Sequence, residues 1–205
     1  ESTGSDNKYL WLVIAVAGHE IDAYESVWFN DEKIYNGTNF LNNWASVVNI
    51  SFYKGDQTAA DSALVSASNS KWTADHKLLD TAYMVLRLEH DPEKFSSGLP
   101  NISTIIRGKK VLYQANVSAG NFYVGEKYKI TQVGTTNFVP IGAASNTVGV
   151  EFTATNVGSG TGKADYFDWS QNPALCIYDY LRDTKYGLGE TADNILTASV
   201  TTAKG

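Results

Sequence analysis

The chain has 205 residues, 43% of them hydrophobic and 12% aromatic, enough to bury the core of one domain or two small ones and too apolar for low-complexity disorder. Its formal net charge of −6 argues against gripping phosphate backbones, because that binding depends on Lys and Arg displacing counterions. The single cysteine, Cys176, excludes an internal disulfide framework and any multi-cysteine zinc site.

The first residue is Glu1 rather than Met and residues 191–205 form a polar tail, so the sequence reads as a piece of a longer protein. Residues 9–17, YLWLVIAVA, imitate a secretion signal, with Lys8 before them and Ala15-Val16-Ala17 in place of a cleavage site. Glu1 and Asp6 stand where basic residues belong, however, and Trp11, Val13, Ile14 and Val16 favour a strand buried on both sides. The run is also too short to span a bilayer, so no membrane span is expected. A polar turn at 18–22 leads to a strand at 25–29, whose hairpin partner is 33–35 across Asn30-Asp31.

Residues 46–53 alternate in part, with Ile50 and Phe52 on one face, and predict a partly exposed strand. Residues 55–69 predict a loop with one turn of helix. Over 81–89, Ala82, Met84, Leu86 and Leu88 give a strand one strongly apolar face. A breaker-rich loop at 91–100 follows, and 102–106 with 111–113 predict a second hairpin around Arg107-Gly108.

From 113 to 165 the chemistry changes. Eight of the 17 glycines fall there, while Leu, Trp, Arg, Cys and His are missing, which marks a segment chemically distinct from its flanks. Its Lys127, Lys129 and Lys163 balance Glu126, Glu151 and Asp165, so the remaining residues carry the whole acidic excess. Val148, Val150, Phe152 and Ala154 alternate with polar or glycine positions, as Tyr128 and Ile130 do, and predict short antiparallel strands joined by glycine turns. Residues 172–189, NPALCIYDYLRDTKYGLG, then predict one short helix. Asn172 caps it, Pro173 suits the first position, Arg182 and Lys185 suit its negative end, and Gly187 stops it. Leu175, Tyr178 and Leu181, with Ile177 beside them, make one face apolar. Cys176, among apolar neighbours, reads as a packed thiol.

Three stretches carry a resemblance. NPALCIYDYLRDTKYGLG at 172–189, GLPNISTIIRGKKVLY at 98–113 and WTADHKLLDTAYMVLRLEHD at 72–91 resemble the tail-tip proteins of long-tailed bacteriophages, a family also called tail-hub, host-specificity or tip-attachment proteins. GHEIDAY at 18–24 echoes the same family. In it the strand near 113 runs almost directly into the helix near 172, so the intervening segment looks like an insertion, itself similar to a β module recurring in phage structural proteins. The resemblance implies a mainly β fold, with a β-rich body of residues 1–112 and 166–205 bearing the short helix, and a small inserted all-β domain of 113–165. It further implies a virion component assembled in the bacterial cytoplasm, trimeric at the distal end of the tail tube. The expected partners are other copies, the distal tail ring, other tail proteins and a host-surface receptor or glycan. An acidic or neutral channel side would let DNA pass without specific binding.

No catalytic, cofactor-binding or metal-ligating residue is expected. His19, Glu20 and Asp22 lie in an extended turn where adjacent side chains diverge. Asp75-His76 is assigned to loop shape, and His90-Asp91-Pro92 to turn chemistry. The acid pairs Glu20 with Asp22 and Asp31 with Glu32 lack the setting of a glycosidase site, and no G-x-S-x-G elbow is present. GSGTG at 158–162 lacks the lysine and the helix of a phosphate loop. The tryptophans 11, 28, 44, 72 and 169 are candidates for a sugar cleft, with core packing expected for Trp11 and Trp28. A carbohydrate- or receptor-binding module acting through residues 113–165 is the alternative reading.

Overall fold

The structure is a computed structural model that describes residues 2–195 and residue 200. It is mainly β, with three antiparallel sheets. The strands are β1 (Ser2–Thr3), β2 (Tyr9–Ala17), β3 (Ala23–Phe29), β4 (Glu32–Tyr35), β5 (Val48–Lys54), β6 (Ala82–Glu89), β7 (Ile102–Arg107), β8 (Val111–Ser118), β9 (Lys127–Gln132), β10 (Glu151–Thr153) and β11 (Lys163–Asp168). Helix α1 is Ser62–Ala67 and α2 is Pro173–Arg182. The chain divides into two compact units, Glu1–Lys109 and Lys110–Gly205.

In the first unit one sheet has the order β1-β2-β6-β5 and a second the order β4-β3-β7. Their facing side chains form a single core. Ala82, Met84, Leu86 and Leu88 of β6 meet Tyr24, Val27 and Phe29 of β3 and Ile34 of β4, and Ile50 and Phe52 pack against them. The apolar face expected for β6 is therefore the inner one. Its other face is buried too, because Tyr83 and Val85 join Leu64 of α1 in a second cluster that Trp11 and Trp72 cover. By contrast, β2 is only half-buried and Val13 is exposed, which corrects the expectation of burial on both sides. The cause is its position. The outer neighbour, β1, pairs only Leu10 and Tyr9, so the rest of β2 has a single strand beside it.

Asp61 organises the layer beneath β6. It is 2% exposed, its Oδ1 accepts the Leu64 amide and caps α1, and its Oδ2 accepts the Tyr53 hydroxyl at 2.8 Å. The Tyr53 ring stacks on Tyr83 at 4.5 Å.

In the second unit the sheet order is β10-β9-β11-β8. Its core contains Phe122, Tyr128, Ile130, Phe138, Phe152 and Tyr166, so the glycine-rich segment does bury a core. The alternation over Tyr128 and Ile130 is realised as β9, whereas the run from Val148 shortens to the three residues of β10. Two boundaries differ from expectation. Residues 102–107 and 111–118 do not form a hairpin, since β7 pairs with β3 and β8 pairs with β11. Nor does the chain divide into 1–112 with 166–205 against 113–165. Strands β8 and β11 cross both expected borders, Tyr166 lies in the second core, and α2 packs on β8 in that same unit. Alternation specifies which face of a strand is apolar but not which strand lies beside it, and that choice moved the division to 109/110.

Burial pushes the hydroxyls of Tyr24, Tyr53, Tyr83, Tyr128 and Tyr166 above the ordinary tyrosine range, and the bonded carboxylates Asp61 and Asp168 push Tyr53 and Tyr166 further. The folded chain thus prefers the neutral hydroxyls. Their contribution is intact below the ordinary value of 10.0 and is lost as pH rises through the elevated folded-state values. Urea midpoints should therefore fall above about pH 10, with phenolate absorbance rising together with unfolding. Asp61→Ala should destabilise the first unit by about 1–3 kcal/mol in urea unfolding, while Asp61→Asn, which keeps the cap acceptor, should cost less.

Candidate functional site

A cleft of about 450 Å³ lies between α2 and the β8-β11-β9 face of the second unit. Helix α2 forms one wall because its ends are fixed locally. Asn172 Oδ1 accepts the Ala174 amide at 2.9 Å, Pro173 opens the first turn, and Leu175 and Tyr178 are buried. The helix stops at Arg182, before Gly187. Asp183 Oδ1 accepts the amides of Lys185 and Tyr186, turning the chain back. The Leu188 amide then reaches the Tyr180 carbonyl and the Glu190 amide reaches that of Leu181. Gly187 is required by this return, since a side chain there would overlap the Tyr180 carbonyl.

The helical wall presents Tyr178, Asp179, Arg182 and Asp183. Arg182 Nη1 donates to the Tyr178 hydroxyl at 3.3 Å, and its guanidinium carbon stands 5.4 Å from the centre of that ring. The sheet wall presents Lys129 and Asp165, with Leu112, Ile130, Val148 and Phe167 as the apolar part. Lys129 lies 3.8 Å from Glu151, and Asp165 Oδ1 accepts the Asn116 amide at 2.9 Å. Each wall therefore carries both signs of charge. Among the described residues no group of three or more His, Cys, Asp and Glu is placed to hold a metal ion, so the cleft carboxylates are too dispersed for that.

A different surface lies on the outer side of the same motif. Ile177 is 60% exposed, and Tyr180, three residues on, is exposed on the same helical face. Leu188, 61% exposed, is drawn beside Tyr180 by its amide bond and shares a shallow hollow with Leu181 and Ile195. Cys176 is exposed as well, which corrects the reading of a packed thiol. Leu175 and Tyr178 are the buried residues of α2.

The histidines do not converge. His19 donates from Nδ1 to the Glu20 carbonyl at 2.9 Å, and Asp22 is held by Arg107 at 2.9 Å and by amide bonds to the carbonyls of Arg107 and Gly108. His76 accepts the Thr73 amide on Nδ1 and stacks on Trp72, a loop-shaping arrangement. Asp91 Oδ1 accepts the amides of Glu93 and Lys94, which is turn chemistry. Glu32 accepts from Trp44 Nε1 and Asn42 Nδ2, and these bonds hold its carboxyl below the usual range. It ties β4 to the following loop. The GSGTG loop is tied to the loop at 133–136. Thr135 and Thr161 each donate a backbone amide to the other's Oγ1 at 3.1 Å, and a side chain at Gly162 would strike Thr136.

The tryptophans are scattered. Trp44 is buried, Trp11 is partly buried with Nε1 on Thr3 Oγ1, and Trp28 is only half-buried beneath Lys33. Core packing is thus realised at Trp44 rather than Trp28, because Val27 and Phe29 take the inward positions of β3. Sequence reading missed the cleft, since its two walls are separated by register rather than by any motif. Among the described residues no helix is long and apolar enough to cross a membrane. No protein-family model matches the chain, and no curated protein matches it.

Gly187→Ala should lower stability by about 1–3 kcal/mol in urea unfolding, with loss of the ordered return after α2 seen as faster amide exchange at Leu188 and Glu190.

Proposed function

We propose that this chain is a structural component of a phage or prophage tail tip, acting through subunit assembly at the distal end of the tail tube and in host attachment. Its partners in this reading are other copies of itself, as a trimer in the intact hub, together with the distal tail ring and other tail proteins. It works in the virion, without catalysis, cofactor or specific nucleic-acid binding. The three ordered motifs at 72–91, 98–113 and 172–189 support the family assignment.

The observation that carries the assembly mechanism is the outer face of the 172–189 motif. Ile177, Tyr180, Tyr186 and Leu188 stand exposed on and just after α2. Large apolar side chains grouped in this way are the usual mark of a protein contact. Covering them with a neighbouring subunit would remove their apolar area from water and give the motif a purpose beyond its own fold.

A second reading, a carbohydrate- or receptor-binding module acting through the 113–165 segment, is favoured by the cleft that this segment shares with α2.

Placing charge on the outer face separates assembly from folding. The double variant Ile177→Glu, Leu188→Glu should fold, as judged by an unchanged circular dichroism spectrum, and should fail to enter tail particles when supplied in place of the parent chain. Tails that incorporate it normally would refute the assembly reading.

A further inference from the structure

We propose that the cleft between α2 and the sheet is a saccharide site that seats one hexopyranose ring, with its apolar face toward Phe167 and Val148 and its hydroxyls toward Lys129, Asp165, Asp179 and Arg182. This inference rests on the binding-module reading and not on the assembly reading.

The argument is one of complementarity. At about 450 Å³ the cleft lies in the range of small-ligand sites, roughly 300–1,000 Å³. Its lining disfavours three ligand classes. Three carboxylates, Asp165, Asp179 and Asp183, against two cations, Lys129 and Arg182, disfavour a phosphate or polyanion. The absence, among the described residues, of a convergent three-ligand group disfavours a divalent cation. A purely apolar ligand would strip water from five charged groups without replacing their hydrogen bonds.

What remains must donate and accept on both walls while covering an apolar strip. A pyranose does both, since each hydroxyl is at once donor and acceptor and the ring has a C–H face. The groups are also held in position. Asp165 is fixed through Oδ1 by the Asn116 amide, and Arg182 commits Nη1 to Tyr178, which is itself 9% exposed. A guanidinium has five donors, so fixing one orients the rest. Gly149 contributes to the sheet wall, and a methyl group built on it meets no atom within 4 Å, so the wall is open at that point.

The test is amide-resolved NMR titration of the full chain with glucose, galactose, mannose and N-acetylglucosamine, each up to about 50 mM, a range that captures weak monosaccharide affinities. Glycine betaine serves as a zwitterionic control. At least one sugar should give saturable shifts centred on residues 129–131, 148–149, 165–167 and 178–183. Val148→Trp, which fills the cleft from an exposed position, should weaken that binding at least tenfold while leaving shifts elsewhere unchanged. Asp179→Asn should weaken it without altering the fold.

Saturable shifts elsewhere, or binding that survives Val148→Trp, would overturn the cleft assignment and leave the binding-module reading standing. No saturable shift with any of the four sugars would overturn the saccharide site and leave only the receptor-binding form of the second reading. Binding of glycine betaine in the cleft with no sugar response would overturn the saccharide assignment.

Discussion

Antiparallel pairing of β8 with β11 is the constraint on which the second unit depends. Val111 opposite Asp168 and Val117 opposite Ala164 bring the start and the end of the glycine-rich segment side by side. Everything between must then close within its own span, and everything after β11 emerges next to β8. Helix α2 follows four residues later and lies on β8, so its buried Leu175 and Tyr178 face the sheet and the cleft forms between them. A one-residue slip in this ladder would turn Ala164 and Tyr166 out of the core and dismantle the cleft wall.

Within that span, close approach rather than apolar bulk sets the sequence. The loops at 133–136 and 158–162 are held by hydroxyls and amides, with Thr136 Oγ1 donating to the Ser159 carbonyl and accepting the Gly162 amide. Such loops leave room for glycine and small polar side chains only. This accounts for a composition that lacks Leu and Trp yet surrounds a core rich in aromatics. In the first unit the reverse holds: β6, flanked by β2 and β5, is buried on both faces, and even its layer of polar contacts, Asp61 with Tyr53, is internal.

The two surfaces of α2 have opposite characters, and this links the structure to the proposed roles. One side closes a charged cleft and the other exposes Ile177 and Tyr180. In the first proposed reading the outer side serves assembly, and in the second the cleft serves ligand binding. The exposed Cys176 lies on the turn between them, its Sγ 3.5 Å from the Ser170 carbonyl oxygen.

Local chemistry was legible from the residues alone. The hairpin across Asn30-Asp31, the inner face of β6, the Asn172 cap with Pro173, and the role of His76 in its loop each depend on neighbours within a few positions. Alternation and capping are local rules, so the sequence by itself determined a mainly β chain with one short helix near its end and a chemically distinct segment before it. Strand partners, the division at 109/110, the exposure of Cys176 and the cleft were decided by tertiary structure. The physical reason is that hydrogen bonding between strands is indifferent to side-chain identity: β8 had apolar partners available on either side in the chain. Only the collective burial of the Phe122, Tyr128 and Phe152 core selects β11 for it.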